Sequence, residues 1–154
     1  MLIRELSENE SLTLLTGLRL GRLACAKGAQ PYITPFYFVP SSNYLYSFGT
    51  VGQRIEWMRE NPLVCVEADR IVSPQEWMSV IILGHFEEMP DTEEWRQQRA
   101  MTHELLQGRP MWWEPGYAKT IVHGTERPMD PIYFRIQIAE ITGRRGIPDS
   151  AEVT

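Results

Sequence analysis

Hydrophobic and polar positions change period several times along the chain. Leu12, Leu15 and Leu18 recur near helical spacing behind Ser7-Glu-Asn-Glu10, a capping-box pattern in which Ser7 accepts from a first-turn N–H and Glu10 reaches back. This predicts a helix starting at Ser7 and filling the N-terminal segment to residue 18. From Gly21 the pattern shortens to apolar and aromatic runs separated by Lys27-Gly28-Ala29 and Pro40-Ser-Ser-Asn43, both turn compositions. An antiparallel meander of three strands follows from it. Pro31 and Pro35 cannot donate to a ladder, so the second strand is expected to be bulged or at an edge near Pro35, leaving backbone groups for a ligand.

Residues 53–61 return to helical spacing, with Ile55 and Met58 inward, and Pro62 stops the helix before a fourth strand at 63–68. A fifth strand is predicted at 77–89. Thr92 is placed to cap a helix over 93–106 with Trp95, Met101 and Leu105 on compatible faces, and Gly108 and Pro110 end it. Residues 111–116, Met-Trp-Trp-Glu-Pro-Gly, read as a loop, residues 132–141 as a half-buried closing strand, and residues 148–154 as a frayed tail. Six antiparallel strands with short helices suggest a small closed barrel, because closure removes exposed edges. An open α+β sandwich of the same elements is the alternative.

Composition narrows the setting. The chain has 154 residues and is 43% hydrophobic, enough for one domain with a real core, 1–154. Val80-Ile-Ile-Leu is the longest purely apolar run without glycine, and Met1-Leu-Ile-Arg-Glu-Leu carries charges where a signal peptide is apolar, so the expectation is a cytoplasmic protein without a membrane partner. A net charge of −5 argues against nucleic acid. Cys25 and Cys65 lie in apolar runs and read as reduced core thiols. The three histidines lack the short pairings of a zinc site, and no metal is assigned.

Chemistry concentrates at Gly49-Thr-Val-Gly-Gln-Arg-Ile. A phosphate docks where helix N–H groups, the positive end of a helix dipole, a hydroxyl and a guanidinium converge, and Thr50, Gly52 and Arg54 supply that combination. Thr50 and Gly52 also fit as ordinary helix-start residues. Trp77 and Ser79, on the fifth strand, fit either a core or a ligand wall. Adjacent Trp112 and Trp113 cannot both easily face one core, which points one of them at a ring or an interface, and Trp112 is the nearer to the preceding helix.

Three segments, Gly21-Arg-Leu with Pro31-Tyr-Ile-Thr-Pro-Phe-Tyr-Phe, then Gly52-Gln-Arg54, then Ala139-Glu-Ile-Thr-Gly-Arg144, together resemble the pyridoxamine 5′-phosphate oxidase-like FMN-binding split barrels, closest to their nitroimidazole-reductase-like branch. The likeness runs from Gly21 to Gly143. It implies a mainly β, six-stranded antiparallel split barrel with flanking helices, and a homodimer holding two FMN molecules at its interface. Pro35, Phe36 and Tyr37 would line the isoalloxazine, Gly52, Gln53 and Arg54 with Thr50 would take the phosphate, and Ser47, Trp77, Ser79 and Trp112 complete the expected cofactor contacts. Gln53 stands where many relatives carry a basic residue, and the C-terminal Arg-Leu-x-Pro-type signature of the true oxidases is missing after Arg144-Arg145-Gly146, which argues against vitamin B6 as substrate.

The resemblance implies an FMN-dependent oxidoreductase moving electrons or hydride from a reduced nicotinamide to a small acceptor. No catalytic side chain is assigned, because no Ser-His-Asp, Cys-His or paired-carboxylate arrangement is visible. One alternative is a non-catalytic flavin- or haem-binding module for storage or sensing, with His85 or His103 as an axial ligand. Another is a dimeric scaffold that has lost its cofactor.

Overall fold

The computed structural model describes residues 1–108, 121–126 and 131–149. Among them one antiparallel sheet dominates. Its strands are β1 (Leu2–Leu6), β2 (Leu20–Lys27), β3 (Gln30–Tyr37), β4 (Val39–Ser41), β5 (Tyr44–Thr50), β6 (Leu63–Ser73) and β7 (Glu76–Met89), with the last strand, β10 (Pro131–Ile147), crossing the whole assembly. A separate small hairpin joins β8 (Ile121–Val122) to β9 (Thr125–Glu126) through His123 and Gly124, both at positive φ.

The hydrogen-bonded order is β3-β2-β6-β7-β10-β5-β4, with β1 added to β10. The two ends of this path, β3 and β4, are separated in the chain by Phe38 alone, so the sheet curls back on itself while no ladder closes it. The result is a split barrel. Two tethers hold the seam: the Phe38 N–H donates to the Arg19 carbonyl at 3.0 Å, and the buried Ser47 hydroxyl donates to the Tyr37 carbonyl at 2.7 Å.

Alternation along the strands fills the interior with Leu23, Phe36, Val66, Ile82, Phe134 and Ile136, each at most 1% exposed. The helix α1 (Glu8–Thr16) closes one side with Leu14 and Leu15, and its predicted capping box forms as read, Ser7 and Glu10 bonding reciprocally. The helix α2 (Gln53–Glu60) buries Ile55 and Met58, again as the spacing predicts.

Eight strands replace the expected six. β1 carries almost no burial signal, since four of its five residues are exposed, and β4 is only three residues long. β10 continues well past residue 141 because a bulge between Ile138 and Glu140 resets its facing, after which Gly143 and Gly146 interrupt the apolar alternation. β3 is an edge strand, but it pairs β2 without a bulge at Pro35. The helix α3 (Arg96–Gln107) begins after a 3-10 turn at Glu93–Trp95, and Thr92 makes no side-chain cap. Its inner face is Thr102 and Leu106, while Met101 turns outward, because the 3-10 turn rotates the helix relative to a continuous one begun at Thr92.

Candidate functional site

The sequence Gly49-Thr-Val-Gly-Gln-Arg carries the chain from the end of β5 into α2. Gly52 is the N-cap in extended conformation, it provides no side-chain cap, and a methyl at its Cβ position would meet nothing within 4 Å. The first-turn N–H groups of α2 therefore receive no hydrogen bond from an N-cap side chain.

Arg54, the second residue of α2, swings its guanidinium back against the edge strand. Its Nη1 donates to the Thr34 hydroxyl at 3.2 Å and to the Pro35 carbonyl at 3.1 Å, and its guanidinium carbon lies 5.7 Å from the Phe134 ring centre and 6.0 Å from that of Phe36. Burial pushes its pKa down, with Cys25 and Tyr32 opposing. Among the described residues Arg54 has no carboxylate partner. A half-buried cation held only by neutral oxygens retains an unspent attraction for an anion, and the adjoining helix N-terminus favours the same sign.

The edge position of β3 explains this arrangement. Pro35 pairs β2 on one side only, and on the other its carbonyl is available to Arg54. Thr34 was not singled out from the sequence. The signal for it was its place beside Pro35 on a strand already expected at an edge.

The other expected contacts divide into groups. Pro35 and Tyr37 are exposed on β3, but the Phe36 ring is 1% exposed and packs between Phe38 and Phe134 at centroid distances of 5.4 and 5.9 Å, so it belongs to the core. Ser47 is likewise turned inward, its hydroxyl spent on Tyr37. Thr50 ends β5 half-buried, and Gln53 is exposed at the first helical position. Trp77 and Ser79 line a different cavity, of about 590 Å³, with Ile81, Thr142 and Arg144. The Trp77 indole occupies the space over Gly146, where a Cβ would lie 2.6 Å from Nε1.

Within one chain these are two clusters. β2 and β6 stand between β3 and β7, about 14 Å across at ordinary strand spacing. Trp112 lies outside the described residues, as does the 111–116 loop.

Cys25 is buried, but Cys65 faces outward in register with exposed Leu83, so only the first is a core thiol. His103 is engaged at both ring nitrogens, by Tyr133 at 2.8 Å and Gln107 at 2.9 Å, and His85 is exposed on the outer face of β7. No group of three or more potential metal ligands occurs among the described residues, and none of their helices is long and apolar enough to cross a membrane.

A curled antiparallel sheet whose two ends meet without a closing ladder is a split-barrel architecture, and the family comparison agrees. The chain belongs to the pyridoxamine 5′-phosphate oxidase family, which it matches over residues 7–145. An uncharacterised protein of Rhizobium meliloti strain 1021 is 36% identical over 144 residues, covering 94% of this chain and 95% of that one. Among solved structures, a FAD-binding protein of Mesorhizobium loti superposes with a TM-score of 0.79 at 39% identity, over 96% of this chain and all of that one. A 5-nitroimidazole antibiotic resistance protein of Bacteroides thetaiotaomicron shares the fold at a TM-score of 0.65 and 12% identity, over 94% of this chain and 89% of that one.

Proposed function

We propose that this protein binds a flavin nucleotide and serves as a flavin-dependent oxidoreductase, with FMN as the cofactor. The observation that carries the reading is Arg54, a half-buried guanidinium with two neutral partners and, among the described residues, no carboxylate, beside the N-terminus of α2. Arg54, Thr50 and the N–H groups after Gly52 would hold the phosphate, and Pro35 with Tyr37 would border the ring. When bound, a flavin supplies hydride and electron transfer, here from a reduced nicotinamide to a small acceptor. The chain's own residues bind, orient and screen it from water, and none is assigned a catalytic role.

A homodimer suits this reading. Leu63, Ile81 and Leu83 are 61%, 40% and 47% exposed on one outer face, an apolar patch that a second copy would cover. Pairing two copies there would also give each flavin a phosphate seat from one protomer and the Trp77–Ser79 cavity from its partner, with Trp112 reaching the site from the 111–116 loop. We place the protein in the cytoplasm, with neither nucleic acid nor membrane as partner. The name of the Mesorhizobium loti relative favours a second reading in which the nucleotide is FAD.

Chromatography of the flavin released on denaturation separates FMN from FAD. Titration of the apoprotein then tests the seat: Arg54→Ala is expected to weaken FMN about 10- to 100-fold, the equivalent of roughly 1.5–3 kcal/mol for a charge-assisted contact, and to leave riboflavin nearly unchanged. Equal losses for both ligands would make Arg54 a structural brace of β3. Anaerobic NADH or NADPH addition that fails to bleach the bound flavin would remove the oxidoreductase reading.

A further inference from the structure

A second basic pocket lies away from Arg54, where α1 covers the far end of the sheet. The register sets it up. Arg4 on β1 pairs with Arg145 on β10, Arg145 pairs with Met78 on β7, and Met78 pairs with Arg70 on β6, so three arginines stand in one row and face the same side. With strands about 4.8 Å apart, the backbones of Arg70 and Arg145 lie about 10 Å apart across Met78. Long side chains at that spacing can converge on one anion.

The three arginines, with Asn9 and Thr13 of α1, line a cavity of about 420 Å³ whose apolar floor is Leu6, Leu14 and Met78. Glu10 is the one acid lining it, and that carboxylate is committed to Arg4 through two hydrogen bonds of 3.1 Å. Neither Arg70 nor Arg145 has an acidic partner among the described residues. Arg70 rests its Nη2 3.0 Å from the Cβ position of Gly17, at the C-terminal end of α1, whose partial charge offsets only part of a full cation. Glu5, the neighbour in sequence, points to the opposite face with Arg144. In a chain of net charge −5, this pocket holds three cations against one anion.

We propose that this pocket binds an organic phosphate, its phosphate held by Arg70 and Arg145 with Thr13 and Asn9 as neutral donors, and its apolar body lying on Leu14 and Met78. Planar guanidinium groups suit phosphate oxygens, and an aliphatic and thioether floor suits a flat ring. The site is separate from the flavin phosphate seat and does not depend on that assignment.

Calorimetric titration of the full-length, flavin-loaded protein with ADP, and separately with inorganic phosphate, tests it. Saturable ADP binding that weakens with salt is expected, tighter than for inorganic phosphate. The double variant Arg70→Gln, Arg145→Gln should bind ADP about tenfold or more weakly with unchanged flavin content and melting temperature. Thr13→Trp, which fills the pocket and keeps both arginines, should lose ADP as well. Absence of saturable binding, equal binding by the variants, or equal affinity for inorganic phosphate would overturn the proposal. Loss of flavin from the double variant would overturn it too, by making the pocket part of the flavin site.

Discussion

Glu10 joins β1 to the start of α1. It accepts from both terminal nitrogens of Arg4 and from the Ser7 N–H, and these contacts, the Arg4 hydrogen bond foremost, lower its pKa from the ordinary 4.5 to about 2. A carboxylate held below its unfolded value stabilises the fold fully above that value and loses its contribution as pH falls through the folded one. The stability difference between wild type and Glu10→Gln should therefore be constant above about pH 5 and shrink between 4.5 and about 2. Thermal melts across that window check it; a difference that stays flat would mean the ion pair contributes nothing at this exposed position. At this scale the sequence was readable where a residue's partner is three or four positions away, as for Ser7 and Glu10. Arg54 stands out in the sequence because it follows a helix start, but its partners, Thr34 and Pro35, sit 20 and 19 residues back. The core position of Phe36 was hidden for a related reason: Tyr37 and Phe38 follow it directly in sequence, and only the strand's facing decides which ring goes inside.

Gly84 shows how one position keeps two strands together. It sits on β7 opposite the start of the β10 bulge, and a Cβ there would lie 2.4 Å from the Gln137 carbonyl and 2.8 Å from the Ile136 side chain. Neither neighbour can withdraw, since one is backbone and the other is core. Gly84→Ala is expected to destabilise by about 1–3 kcal/mol, the range of an overpacked interior, and chemical denaturation measures it. Gly52→Ala, into open space, makes a control. Elements with clean periodicity or firm stop and start signals were legible, which covers α1, α2, β2 and the start of β10. β1 was not, because its exposed side chains leave hydrogen bonding to β10 as its reason to exist, and the far half of β10 was hidden because glycines stand where apolar side chains would have marked it.

For the whole molecule the antiparallel class and the barrel curl were legible, since strand number and turn spacing leave few ways to bury so many alternating runs. Which faces stay exposed was not. Leu63, Ile81 and Leu83 stand in apolar strand runs that give no facing, and they look outward together. Sedimentation is expected to give a dimer for the wild type and a monomer for Leu83→Glu, since a buried unpaired carboxylate opposes association; a wild-type monomer with flavin bound would remove that expectation. A different consequence follows from β10, which pairs β7 along one edge and both β5 and β1 along the other. All three partners are made by the ribosome before it, so the nascent chain carries an unpaired edge on each of them and a core lacking Phe134, Ile136 and Ile138 until β10 emerges. Residues 1–130 alone should remain soluble only with a chaperone. A separate peptide covering residues 131–149 should restore the native near-ultraviolet spectrum when added to it, making this strand a natural cut point for a two-piece reporter.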